Sequence, residues 1–197
     1  MSAELALFPL KTVLFPGGLL ALRVFEPRYL DMIARSLRAD NRFGVVAIRS
    51  GSEVGAADMF DVGTTAEIVD WHQESGGMLG IRAVGRDTFR VDDVTRRSDG
   101  LYVGRVTLLE EAESVRLPAA HAPLAILLKS LLAQLPPPSS TPADAPTPYE
   151  DAIWVGARLA EVLPLAVSLK QTLLETRDPL ARLERIAANL RNESSAG

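Results

Sequence analysis

The sequence has no cysteine. That excludes disulfides, iron–sulfur clusters, thiolate zinc sites and cysteine nucleophiles, and it fits a reducing compartment. Histidine is nearly absent as well. His72 and His121 lie far apart and lack His-x-x-x-His spacing; one adjoins a turn signal and the other precedes a helix, so both are expected at the surface. Lysine occurs only as Lys11, Lys129 and Lys170, and none follows the glycines of a phosphate-cradling loop. No Gly-x-Ser-x-Gly elbow is present. Lys129 and Ser130 are neighbours and would point to different helix faces, which argues against a Ser–Lys dyad. No apolar run reaches the roughly 20 residues of a membrane span. The opening Met1-Ser2-Ala3-Glu4 lacks the basic and apolar parts of a signal peptide, so a cytoplasmic location is expected.

What is present is ordinary globular material: 197 residues, 47% of them hydrophobic, with a net charge of -4. That suits one domain or two small ones. The acidic balance disfavours nucleic acid as the main partner. Asp92-Asp93 and Glu110-Glu111 are paired carboxylates, but strand neighbours point to opposite faces, so they do not converge on one substrate. Arg82, Arg86, Arg90, Arg96, Arg97 and Arg105 are interspersed with acids and read as a mixed surface. No cofactor, metal site or catalytic residue is expected.

The punctuation is informative. Phe8-Pro9, Phe15-Pro16-Gly17-Gly18 and Phe25-Glu26-Pro27-Arg28-Tyr29 divide the first 30 residues. Proline bounds strands because it cannot donate to a ladder. Glycine gives the turn its freedom in φ, and Pro27 suits a helix start. Val13 to Val24 reads as a buried strand pair. Leu30, Ile33, Ala34 and Leu37 mark a helical face ending at Asp40-Asn41, and the three phenylalanines read as core.

Short strands are expected at Phe43–Ile48, Val62–Ile68, Met78–Val84 and Phe89–Val94, with hairpin turns at Glu74–Gly77 and Asp99-Gly100. A final strand runs from Leu101 to Leu108. Ser50 to Asp58 reads as a loop. After Glu113 the pattern turns helical, with Leu124, Leu127, Leu128, Leu131 and Leu135 on one face. Six of the 13 prolines fall between Pro136 and Pro148, a composition that reads as a tether. Three helices follow: one with Ile153, Ala157 and Ala160 buried, one capped by Ser168, and one opened by Asp178-Pro179.

The run from Leu7 to Ile33, LFPLKTVLFPGGLLALRVFEPRYLDMI, resembles the opening of the Lon N-terminal (substrate-binding) domain family, in the form found in small stand-alone bacterial members. DVGTTAEIV, IRAVGRDTFRV and YVGRVTLLEE resemble that family's later strands; Asp87-Thr88 departs in detail. The helical end from Leu159 to Ile186 is similar too. The resemblance implies an α+β fold: an N-terminal antiparallel β pseudobarrel, PUA-like, with one inserted helix, over 1–115. A helical bundle over 116–197 follows, interrupted by the tether at 136–148. It implies a non-enzymatic module that recognises proteins or exposed apolar peptides, serving as an adaptor for proteolysis or quality control. Neither the ATPase nor the Ser–Lys peptidase of a full Lon protease fits in this sequence. The expected site is a groove between the β region and the bundle. Met59, Phe60, Trp71 and Met78 are expected as peptide contacts, placed at strand ends or turns, with methionine adapting to varied partners. The alternative is an RNA-binding module, by analogy with PUA-like folds, which would need a contiguous basic face.

Overall fold

In the computed structural model the described residues are 2–53, 57–110, 113–135 and 148–195. Six strands come first: β1 (Ser2–Leu10), β2 (Leu19–Val24), β3 (Arg42–Gly51), β4 (Ala57–Gln73), β5 (Leu79–Arg96) and β6 (Tyr102–Leu108). Helix α1 (Pro27–Ser36) is inserted between β2 and β3. Helices α2 (Ala122–Gln134), α3 (Ala152–Val162), α4 (Val167–Glu175) and α5 (Pro179–Ser195) complete the chain. The expected tether at 136–148 lies outside the described residues except for Pro148.

The sheet runs in the order β2-β5-β4-β3-β1-β6. The far half of β5 also pairs with β6, Phe89 opposite Leu108 through Arg96 opposite Tyr102, so the sheet curls back on itself as a pseudobarrel. Every pair is antiparallel but one. β1 and β3 run parallel, Leu7 beside Gly44, because β2 and α1 carry the chain back to the starting end. This corrects the expectation of an antiparallel region throughout.

Several boundaries also differ. Val13, Leu14 and Phe15 are buried but form no strand; only Leu19–Val24 does. Leu14 packs in the core under α1, while Val13 and Phe15 pack in the core shared with α2–α5. This segment is therefore a connector that feeds two cores. The strands expected separately at Met78–Val84 and from Phe89 are one, β5. The residues between those two expected strands form an irregularity in the β4–β5 ladder, where the register shifts between Thr64 and Ala66. There the Asp87 N–H donates to Thr65 Oγ1 at 2.9 Å. β4 reaches back to Ala57, into the segment expected as a loop.

Helix α1 starts at Pro27 as expected, but it ends at Ser36, and its buried face is Arg28, Tyr29, Met32, Ile33 and Ser36. Tyr29 stacks on Phe8 with ring centroids 4.0 Å apart, and burial pushes its hydroxyl up to about 12. Phe8 and Phe15 are core, but Phe25 is 62% exposed. Ser168 does not cap α4; that helix begins after Ala166, with no side-chain cap. Asp178 does cap α5, accepting from the Leu180 N–H at 2.9 Å. Ile153 is half-buried, while Ala157 and Ala160 are buried.

Candidate functional site

The Phe15-Pro16-Gly17-Gly18 turn is the hinge between strands and helices. Gly17 has φ +72, the left-handed region that glycine enters at little cost. Its N–H donates to Gly85 O, and the Gly85 N–H donates to Gly18 O, both at 2.8 Å. Gly18 answers to space rather than to φ. A Cβ there would lie 1.9 Å from a carboxylate oxygen of Glu161 and 2.9 Å from Phe15 O.

That carboxylate belongs to a buried cluster. Arg158, from α3, donates Nη1 to Gly17 O and Nη2 to Pro16 O, the latter at 2.8 Å. Its guanidinium is 3.1 Å from Glu161. Glu161 also accepts the Phe15 N–H at 3.4 Å, and Lys170 Nζ donates to the Glu161 carbonyl at 2.7 Å. Burial pushes the Glu161 carboxyl up to about 7, opposed by Arg158, the Phe15 N–H and Lys170. Burial pushes Arg158 down, opposed by Glu161. The helical region is thus fastened to the turn by two bonds from Arg158 to its carbonyls and one from the Phe15 N–H to Glu161, with the Arg158–Glu161 pair inside α3 orienting both side chains.

Beside this turn lies a hollow of about 210 Å³, open on one side. The strand region contributes Pro16, Val62, Thr88, Leu109 and Glu110; the helices contribute Ile153, Leu174, Glu175 and Arg182, and the link between α4 and α5 contributes Arg177. Gln171 sets the gap by donating Nε2 to Val62 O at 3.0 Å and to Glu175 at 2.8 Å. Arg182 is 9% exposed. It donates Nε to Leu173 O and Nη2 to Thr176 O, each at 2.9 Å. Burial pushes its guanidinium down, with no carboxylate opposing. Arg177 donates Nη2 to Glu110 O at 3.0 Å. The exposed wall is mostly apolar, and Glu110, Glu175, Arg177 and Arg182 border it with charges of both signs.

A second hollow, about 450 Å³ and shallower, lies by Glu26, Arg28, Asp31, Arg96 and Asp99. Arg28 is already committed there, to Glu26 at 2.8 Å, Gly100 O at 3.0 Å and Glu53 O at 3.2 Å. It is a fastening between three loops.

The family model for the ATP-dependent protease La (LON) substrate-binding domain matches residues 4–192. The chain belongs to that family. A crystal structure of a Lon N-terminal domain protein from Xanthomonas campestris superposes with a TM-score of 0.77 at 37% identity, covering 94% of this chain and 98% of that one. Lon protease 2 of Myxococcus xanthus is 30% identical over 190 residues, 91% of this chain but 22% of the relative. Protein cereblon of Danio rerio is 34% identical over 102 residues, 50% of this chain and 23% of the relative. The chain thus spans under a quarter of the length of these two curated relatives.

Within this Lon-domain frame the four residues expected as peptide contacts do not meet. Met59 and Phe60 are half-buried near the start of β4. Met59 packs against Leu7, Val46 and Phe89, and Phe60 against the helical core, with Arg49 4.8 Å from its ring centre. Trp71 is 54% exposed at the other end of β4, opposite Ile81. Met78 follows the turn beyond it. At about 3.3 Å per residue, the stretch from Met59 to Trp71 spans up to roughly 40 Å along β4. None of the four lines the hollow in the seam; Phe60 comes nearest in sequence, two positions from Val62. The lining residues escaped sequence reasoning because each looks like an ordinary helix or strand position. The strand-region arginines are interspersed with acids as expected: Arg86 with Glu67 at 2.7 Å, Arg90 with Asp92 at 3.3 Å, Arg97 with Glu4 at 3.3 Å, and Arg82 with Asp70.

Proposed function

We propose that this chain is a non-enzymatic recognition module that takes an exposed apolar segment of a protein into the seam between its strand and helical regions. The observation that carries the reading is the apolar-walled hollow at that seam, in a chain whose family is described as a substrate-binding domain. Pockets for whole drug-sized molecules run to about 300–1,000 Å³, so about 210 Å³ suits one or two side chains rather than a folded surface. Burying one large apolar side chain there contributes roughly 1.5–3 kcal/mol. That favours weak, sequence-tolerant binding of many partners, as an adaptor in proteolysis or quality control requires. Met59, Phe60, Trp71 and Met78 enter this reading as an outer track along β4 and past its turn, with Phe60 nearest the hollow in sequence.

The test is fluorescence anisotropy with a labelled, unstructured apolar peptide. Wild type should bind, and Ile153→Glu, which puts a charge on the helical wall, should weaken binding at least tenfold with an unchanged circular dichroism spectrum. Equal binding by the variant would remove the seam from the proposal. A second titration with Trp71→Ala and Met78→Asp shows whether the outer track takes part.

A further inference from the structure

Three arginines are buried: Arg28, Arg158 and Arg182. Two have a carboxylate beside the guanidinium, Glu26 for Arg28 and Glu161 for Arg158. Among the described residues Arg182 has none; its hydrogen bonds go to two backbone carbonyls. A buried charge without a counter-ion is costly, and removing charge from water is tolerated where an opposite charge completes the site. Arg182 borders the seam hollow, and so does Arg177, whose hydrogen bond also goes to a backbone carbonyl. The two acids on the same rim do not neutralise Arg182. Glu175 accepts from Gln171, and Glu110 is exposed and supplies its backbone oxygen to Arg177.

We infer that the seam hollow is a subsite for the free C-terminus of a polypeptide ending in an apolar residue, its α-carboxylate held by Arg182 and Arg177 and its last side chain resting against Ile153, Leu174 and Val62. The inference rests on the seam reading above and narrows it from apolar segments to chain ends. A guanidinium presents its donors as a planar fork that matches a carboxylate. The apolar walls next to the fork select what the carboxylate is attached to. Cleavage within an apolar segment creates such an end, so a module with this subsite would favour fragments cut inside segments that the intact fold buries.

The experiment compares three probes on the wild-type chain by isothermal titration: an unstructured hexapeptide ending in leucine as the free acid, the same peptide amidated, and 4-methylpentanoate. The free acid should bind at least tenfold more tightly than the amide, and its advantage should shrink as salt rises. Arg182→Gln should abolish the difference. Arg177→Gln, at an exposed position, should reduce it severalfold without affecting the fold, so the inference stays testable if Arg182→Gln fails to fold. Equal binding of acid and amide would overturn the carboxylate subsite and leave the seam reading intact. Binding of neither would overturn both. Binding of 4-methylpentanoate as tight as that of the peptide acid would overturn the chain-end assignment in favour of a small carboxylic acid.

Discussion

Arg158 of α3 and Arg182 of α5 are buried to nearly the same degree, yet they are satisfied differently. Arg158 reaches out of α3 to the Pro16 and Gly17 carbonyls of the turn, with the Glu161 carboxylate of its own helix beside it. Arg182 reaches from α5 to the end of α4 and meets carbonyls alone. The first arrangement carries its own anion, the Glu161 carboxylate, and fastens the strand region to the helices through the turn carbonyls, although Arg158 Nε is buried with no hydrogen-bond partner among the described residues. The second lacks an anion and opens on a hollow. Position in the fold, rather than residue type, separates a fastening from a binding group.

The sharpest way to break that comparison is to truncate each arginine. Arg158→Ala leaves Glu161 buried without its partner and should cost about 3–5 kcal/mol in a denaturant titration. Replacing the pair together, Arg158→Met with Glu161→Leu, should recover most of that loss. Arg182→Ala leaves no carboxylate behind and should cost less, about 1.5–3 kcal/mol for two charge-assisted hydrogen bonds. Equal losses would mean that the two sites are not different in kind.

Acid is the next lever. The Glu161 carboxyl is pushed up to about 7 in the fold from an ordinary 4.5. A raised carboxyl adds stability that is fully present below about 4.5 and is lost as pH rises through about 7. Relative to Glu161→Gln, wild type should therefore gain stability between pH 8 and pH 5, on the order of 2 kcal/mol. Arg158, Lys170 and the Phe15 N–H are the groups that face the carboxyl and oppose the shift. A flat difference between the two proteins across that range would show that Glu161 stays ionised in the fold. Gly18→Ala tests the same cluster sterically. Its methyl would meet Glu161 and the Phe15 carbonyl, an overpacking expected to cost about 1–3 kcal/mol in thermal unfolding. The smallest effect should come from Trp71→Ala. The ring is more than half exposed, so stability should move by no more than about 0.5 kcal/mol.

Much of this was legible in the residues, and the parts that were not have identifiable causes. Phe15-Pro16-Gly17-Gly18, Pro27, the turn at Glu74–Gly77, Asp99-Gly100 and Asp178-Pro179 all act where their local chemistry says they should. The family signature, carried by five short segments in order, fits the match over residues 4–192. Boundaries failed where a distant partner overrode local preference. Separate strands are expected up to Val84 and from Phe89, but the Gly85 N–H and C=O are taken by Gly18 and Gly17 and β5 runs through. Ser168 has capping spacing, yet α4 begins two residues earlier than that cap implies, with Ala166 at the N-cap: the ladder opens with Lys170 N–H on Ala166 O. The expected contact residues failed to converge because β4 is one long strand with Met59 and Trp71 near its two ends.

The sequence by itself determined the local framework: where the chain turns, where helices start, which stretches alternate, and which family the whole belongs to. Those properties depend on φ/ψ preferences and short-range periodicity, which act over a few residues. Only the tertiary structure decided which arginines are buried and what they face. Arg158 lies 141 residues from Gly17 and Gln171 lies 109 from Val62. Burial of a charge, and the presence or absence of its counter-ion, is a property of segments brought together in space, so no local pattern carries it.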